Sequence, residues 1–276
     1  MRLFIILTIH NEYDYLFKIL GLLIKQKDIN HSDVIVYIID SSSITDDQLD
    51  NKLEEKYKSM NLQYRRVPKD FFWSKMNNFG VEEILRVSNE SDLVLFLNVD
   101  VKFNDTFIHN IFTLYCTNQN FILSACIRDD VDANLQCGVR IIKKKFKIVD
   151  NLVLNNFKKD KYLTLNTSTV STRATVYPSK IFNNGLRIRH KLLPHYYADL
   201  VLGLEAQKLG YDIKFHSALQ IINTRNPSVL KQNSKFFKRY FGKSSPARLF
   251  SIFLFWSFVL KSETQKLLRI KSIQVS

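Results

Sequence analysis

The chain has 276 residues, 46% of them hydrophobic, with only 7 Gly and 5 Pro, a composition that excludes a linker-rich or disordered protein and supplies a packed core. The length allows one large domain, or one domain with an appendage. The net charge of +14 is uneven: residues 225–276 hold eleven Lys/Arg against one acid, Glu263, which is +10 and leaves +4 for residues 1–224. A basic tail of this kind points to an anionic partner.

Residues 2–9 are an apolar run and read as a buried first strand rather than a signal peptide, because the run is short and no small-residue cleavage site follows. Leu16, Ile19, Leu20 and Leu23 have helical spacing within residues 13–26. A second strand, residues 34–39, ends at Asp40-Ser41-Ser42-Ser43, and a polar helix with Leu49 and Leu53 follows. Residues 62–67 form a short strand before Pro68, residues 74–87 a helix, and residues 93–97 a strand of five apolar residues. Strand and helix alternate throughout, which predicts a parallel sheet with crossover helices. Beyond it the pattern gives a helix at 105–118, strands at 121–127 and 138–147, and an ambiguous polar stretch at 148–172. A helix at 199–209 stops near Gly210, an extended segment covers 211–223, and basic helices begin at 229.

Cys116, Cys126 and Cys137 are odd in number and form no CxxC pair. This favours three buried thiols in a reducing compartment over a disulfide framework or a zinc site. There is no Gly-x-Gly-x-x-Gly turn and no Walker-type Gly-Lys-Ser/Thr, so a standard dinucleotide or P-loop site is not expected. Instead three strand ends carry polar groups: His10-Asn11, Asp40, and Asn98-Val99-Asp100. In an open α/β sheet such ends face one crevice, where ligands bind. A carboxylate at that edge suits a hard divalent cation, which can hold a diphosphate. Asp100 can equally do no more than end a strand.

Six motifs occur in an order that resembles a known family. They are Thr8-Ile9-His10-Asn11; Asp40-Ser41-Ser42-Ser43 with Asp46; Phe72-Trp73 through Asn78 to Gly80; Leu97-Asn98-Val99-Asp100-Val101; Ser171-Thr172-Arg173 through Pro178; and Leu193-Pro194-His195-Tyr196-Tyr197-Ala198-Asp199, followed by Ala206 to Tyr211. Over roughly residues 3–222 the chain resembles a family 2 glycosyltransferase of GT-A fold, close to the bacterial rhamnosyltransferase-like group. The sixth motif is the most specific.

That resemblance implies an α/β GT-A fold with a mostly parallel central sheet flanked by helices. It also implies glycosyl transfer with inversion from a nucleotide-diphosphate sugar to a glycan or lipid-linked acceptor of bacterial surface polysaccharide. Asp199 matches the general base, although Asp also suits the head of a helix, and both roles can hold at once. His10, Asn11, Asp40, Asn78, Asn98 and Asp100 fall on nucleotide-sugar positions, with Asp40 on the base or ribose. Trp73, Arg173, His195, Tyr196 and Tyr197 fall on donor-sugar or acceptor positions. Each has a plainer alternative: a core Trp or His, a turn-capping Asn, or a solvated Arg. The cofactor implied is Mn²⁺ or Mg²⁺ on Asp100. Position 98 is Asn, and the segment Ile221 to Arg225 lacks the His found in other members, so the metal is expected to be shared with the donor's diphosphate.

The predicted organisation is a catalytic domain over 1–224, with a nucleotide-binding half (1–104) and an acceptor half (105–224), and a basic helical extension over 225–276. Within the extension, residues 249–260 are apolar but too short to span a bilayer. Arg248 and Lys261 flank them, and Lys235, Lys238, Arg239 and Lys243 precede them. Residues 229–271 thus suit an interfacial element on an anionic membrane surface, implying a cytoplasmic protein peripheral to the inner face of a bacterial plasma membrane. The alternative packs the apolar segment on the catalytic core or in a homodimer. A nucleic-acid-binding protein using the basic tail is the competing class, but the surplus is confined to the tail and no nucleic acid is expected as partner.

Overall fold

In the computed structural model of the chain, residues 1–43, 49–116, 120–128, 135–142, 147–150, 153–154, 163–224 and 249–274 are described. The first half is built as the periodicity predicts. β1 (Leu3–Ile9), α1 (Tyr13–Leu23), β2 (Val34–Asp40), α2 (Leu49–Lys56), β3 (Asn61–Arg66), α3 (Trp73–Leu85) and β4 (Leu93–Leu97) alternate along the chain. β1 pairs in parallel with β2 and β4, and β2 with β3. Every residue of β2 and β4 is buried, as the continuous apolar runs require of strands covered on both faces.

The second half continues the same sheet and adds a separate two-stranded one. It comprises β5 (Val101–Lys102), α4 (Phe107–Tyr115), β6 (Phe121–Arg128), β7 (Leu135–Gln136), β8 (Val139–Ile142), β9 (Lys147–Asp150), β10 (Val153–Leu154), β11 (Thr164–Asn166), β12 (Ala174–Pro178), α5 (Ser179–Asn183), α6 (Ala198–Lys208), β13 (Asp212–Asn223) and α7 (Leu249–Gln274). The order β10-β7-β6-β12-β4-β1-β2-β3 places β12, antiparallel, between β4 and β6. β13 runs parallel to β6 and reaches β5 at its far end, and the separate sheet is β8 with β9. The two predicted halves therefore share one mixed sheet, parallel through β3-β2-β1-β4. The ambiguous stretch at 148–172 contributes only short strands, β9 to β11, among its described residues.

Alternation along β1 divides the core. Leu3, Ile5, Leu7 and Ile9 join Leu16, Ile19 and Leu20 of α1 on one side of the sheet. Phe4 and Ile6 join residues of α3, α5 and α6 on the other. α6 lies unusually close to the sheet side: a Cβ on Gly203 would stand 2.5 Å from Thr169 Oγ1 and 3.2 Å from the Val170 nitrogen. The Thr169 hydroxyl donates to the Leu200 carbonyl at 2.6 Å, fixing that approach. Gly203→Ala is therefore expected to destabilise the fold by about 1–3 kcal/mol, the range for overpacking. A urea midpoint equal to wild type would contradict this.

Two readings of the cysteines are corrected. Cys126 and Cys137, both buried, are joined as a disulfide with Cα atoms 4.6 Å apart, and Cys116 is exposed. The pairing arises because β6 and β7 are antiparallel neighbours, which brings residues eleven apart together. A count of three cysteines could not show that, and the cysteine-based expectation of a reducing compartment loses its support.

α7 packs one face inward. Ser251, Phe255 and Val259 are buried at spacings of four residues, against α6, while Leu249, Phe250, Phe253 and Leu260 are exposed. Among the described residues no helix is long and apolar enough to cross a membrane. The basic positions Lys235, Lys238, Arg239, Lys243 and Arg248 lie outside the described residues, as does Asp46.

Candidate active site

The register brings the predicted strand ends to one edge: Ile9 pairs with Asp40, Asp40 with Arg66, and Leu7 with Leu97 just before the Asn98-Val99-Asp100 tip. At the β1–β2 junction, Asn11 has left-handed backbone (φ 59). Its amide meets Ser43 through the main-chain N–H of Ser43 at 3.0 Å and the Ser43 hydroxyl, and its own N–H donates to Ser42 Oγ at 2.6 Å. The His10 ring is exposed and lies with Nδ1 2.9 Å from the Ser41 carbonyl; a carbonyl can only accept, so Nδ1 carries the proton. The three serines after Asp40 thus tie the two loops together.

Asp40 is fully buried. One carboxylate oxygen accepts from the Ser42 N–H at 2.7 Å; the other accepts from Tyr64 OH at 2.7 Å, Arg66 Nη1 at 2.8 Å and Tyr13 OH at 3.2 Å. Burial and the bond to Asp40 hold the Tyr64 hydroxyl well above its usual range, so it stays protonated and donating. The bonds to Tyr64 and Tyr13 and the charge of Asp40 likewise raise Arg66. Sequence reasoning missed Tyr13, Tyr64 and Arg66, because they reach Asp40 only through the pairing of β3 with β2 and the packing of α1 beside them. Asp40→Asn is expected to cost roughly 2–3 kcal/mol of stability, below the range for a fully buried pair because a third of the Arg66 side chain is exposed. An unchanged denaturation midpoint would show that the cage contributes nothing.

At the tip, Asn98 and Asp100 are half-buried. The Asn98 N–H donates to the Arg173 carbonyl at 2.8 Å, and the Asp100 carbonyl accepts from Thr224 through its N–H at 2.8 Å and its hydroxyl at 2.9 Å. The end of β13 thus lies beside the tip and presents Asn223-Thr224 there. The Asp100 carboxylate has no hydrogen bond or ion pair among the described residues, and none of them form a group of three His, Cys, Asp or Glu able to hold a metal. One free carboxylate at a crevice edge fits a hard cation that takes its other ligands from substrate phosphates and water.

Asp199 is the second residue of α6, not its N-cap; Tyr197 occupies that position. Its Oδ1 accepts the Leu200 N–H at 2.9 Å, and the Thr172 backbone lies near enough to its carboxyl to favour the ionised form. Thr172 adjoins Arg173, whose carbonyl receives the Asn98 N–H. The turn that leads into β12 thus lies between Asp199 and the Asp100 tip, 99 residues earlier in the chain. Asp199 as a whole is half-buried, and burial of its carboxyl pushes its pKa above the ordinary 3.8, with the Leu200 and Thr172 backbone and the Arg173 charge opposing.

α3 braces the loop before Asp199. The Ser74 hydroxyl donates to the Leu193 carbonyl at 2.7 Å and its N–H to the Pro194 carbonyl at 3.2 Å. Trp73, half-buried at the head of α3, packs on the core beside this loop. Asn78 is buried and its amide is engaged on both sides with Ile188, donating to its carbonyl at 2.8 Å and accepting its N–H at 2.9 Å, with a further bond to His190 Nδ1 at 2.9 Å. The structure thus gives Asn78 to the loop, while His195, Tyr196 and Tyr197, all half-buried, lead into α6 just before Asp199. His195 and Tyr196 rings lie 4.6 Å apart, and burial lowers the His195 pKa, which favours the neutral ring.

No protein-family model matches the sequence, and no curated protein does. Solved structures match it closely in fold at low identity. GalNAc-T7 with UDP, GalNAc and Mn²⁺ has a TM-score of 0.65 at 10% identity, over 83% of this chain and 44% of that one. TarS 1–349 of S. aureus with UDP-GlcNAc has 0.57 at 15%, over 85% and 62%. The mannosyltransferase PcManGT of Pyrobaculum calidifontis with GDP-Man and Mn²⁺ has 0.58 at 11%, over 83% and 58%. The fold is that of the GT-A glycosyltransferases, and the chain spans less than two thirds of each of these proteins.

Proposed function

We propose that the protein is an inverting glycosyltransferase, moving a sugar from a nucleotide-diphosphate donor to a glycan or lipid-linked acceptor in bacterial surface-polysaccharide synthesis. The observation that carries this reading is the chain of backbone contacts from the Asp199 carboxyl through Thr172 and Arg173 to the Asn98–Asp100 tip. The likeness in fold to proteins solved with UDP, UDP-GlcNAc or GDP-Man supports the donor class.

Asp199 takes the proton of the acceptor hydroxyl as that oxygen attacks the anomeric carbon. The bond from that carbon to the diphosphate oxygen breaks, and the nucleoside diphosphate leaves with the electron pair. The raised pKa makes Asp199 a stronger base than an ordinary carboxylate. Asp100, with Asn98 beside it, would hold Mn²⁺ or Mg²⁺, whose charge offsets that of the departing diphosphate. The base and ribose sit toward the Asp40–Arg66 end, and Asn11 and His10 line the turn beside it. His195, Tyr196 and Trp73 offer sugars an apolar body with a polar tip.

A thermal-shift screen of UDP- and GDP-sugars with Mn²⁺ tests the donor. A cognate donor at 100 times its Kd is expected to add about 2.7 kcal/mol of apparent stability. Nucleic-acid affinity falling steeply with salt, with no response to any nucleotide sugar, would favour the competing class.

The exposed Leu249, Phe250, Phe253 and Leu260 of α7, in a sequence segment, 225–276, whose net charge is +10, support peripheral attachment to an anionic lipid surface on the cytoplasmic side. Co-sedimentation with phosphatidylglycerol vesicles is expected, and Phe253→Asp is expected to weaken it at least several-fold. Equal sedimentation of the variant, or none of the wild type, would contradict attachment by this face.

A further inference from the structure

Tyr197 has left-handed backbone, φ 66 and ψ −6, immediately before α6 and two residues before Asp199. For a bulky residue this conformation is disfavoured and persists only where the surroundings over-determine it. The Tyr197 carbonyl accepts the Val201 N–H at 3.0 Å, so this turn sets the direction in which the helix begins. The ring of Tyr197 packs on Phe255 of α7, centroids 5.5 Å apart and planes tilted by 32°. Phe255 is fully buried, in the face of α7 that also buries Ser251 and Val259, and Trp256 meets it edge-on at 5.3 Å.

We propose that Phe255 is a positioning residue for Asp199: its ring holds Tyr197 in the left-handed turn that starts α6, which makes α7 part of the catalytic unit. The inference rests on reading Asp199 as the general base. If Tyr197 relaxed to negative φ, the first turn of α6 would rotate and withdraw the Asp199 carboxyl from the Thr172 backbone. The Asp40 cage and the Asp100 tip lie on other elements and would keep the donor in place.

A double-mutant cycle on the full chain tests this, with Mn²⁺ and whichever UDP- or GDP-sugar wild type turns over. Glycine adopts positive φ without penalty, so Tyr197→Gly keeps the turn and removes the need for Phe255. Phe255→Ala is expected to lower kcat about tenfold with donor KM unchanged, and Phe255→Leu to restore most of it. In the Tyr197→Gly background Phe255→Ala is expected to cost less than about twofold. Equal losses in both backgrounds, or a loss confined to KM, would overturn the role of Phe255. Should Phe255→Ala fail to fold, Phe255→Val replaces it in the same cycle. Asp199→Asn, assayed in parallel, separates the two ideas. An active Asp199→Asn, or a wild type that turns over no nucleotide sugar, overturns the underlying reading. An inactive Asp199→Asn with an additive cycle overturns only Phe255.

Discussion

Asp199→Asn is expected to lower turnover by about 10²–10⁴-fold, the usual contribution of a general base, while leaving donor binding intact. The amide can still accept the Leu200 N–H at Oδ1, so the local structure has a means of surviving the change. The same variant is expected to be more stable than wild type at neutral pH. Because the folded pKa of Asp199 is raised, its ionised form is disfavoured in the native state. That penalty is absent below the unfolded carboxylate pKa, grows as pH rises toward the folded value, and is constant above it. Melting temperatures of the two proteins should therefore converge in acid and separate toward neutrality. Wild-type kcat/KM should rise with pH through a pKa above the ordinary 3.8. Parallel melting curves at all pH values would contradict the raised pKa, and full activity in the variant would remove Asp199 from the role of base.

Asp100→Ala is expected to abolish the metal-dependent part of donor binding and to lower turnover by about 100-fold or more, since a metal at the leaving group is worth several kcal/mol. Its fold should be little affected, because the Asp100 contact to Thr224 runs through the backbone carbonyl rather than the side chain. Donor-induced thermal shifts should become equal in Mn²⁺ and EDTA. A variant that retained the Mn²⁺-dependent shift would place the cation elsewhere.

Much of this was legible in the sequence for local reasons. The apolar runs at β1, β2 and β4 and the helical spacing of α1 and α3 report burial directly, so their edges agree with the structure to within a few residues. Asp40 and Asp100 were legible because they terminate such runs. What was not legible depends on pairing between distant segments. Asn78 reads as a ligand-facing amide in a motif, yet Ile188 and His190, 110 and 112 residues away, occupy it. Arg66 closes a cage only because β3 lies beside β2. Cys126 and Cys137 meet through a hairpin whose register no spacing rule shows. The twelve-residue, mostly apolar segment from Leu249 to Leu260 could not reveal that one face seals against α6 while the other stays exposed.

Isothermal titration of UDP and of GDP into the wild-type protein tests the nucleotide-sugar site most directly, in Mn²⁺ and again in EDTA. The expected result is saturable binding of one of the two in Mn²⁺, lost in EDTA and lost in Asp100→Ala. Absence of binding by both nucleotides in Mn²⁺ and in Mg²⁺, from a protein that melts cooperatively, would contradict it.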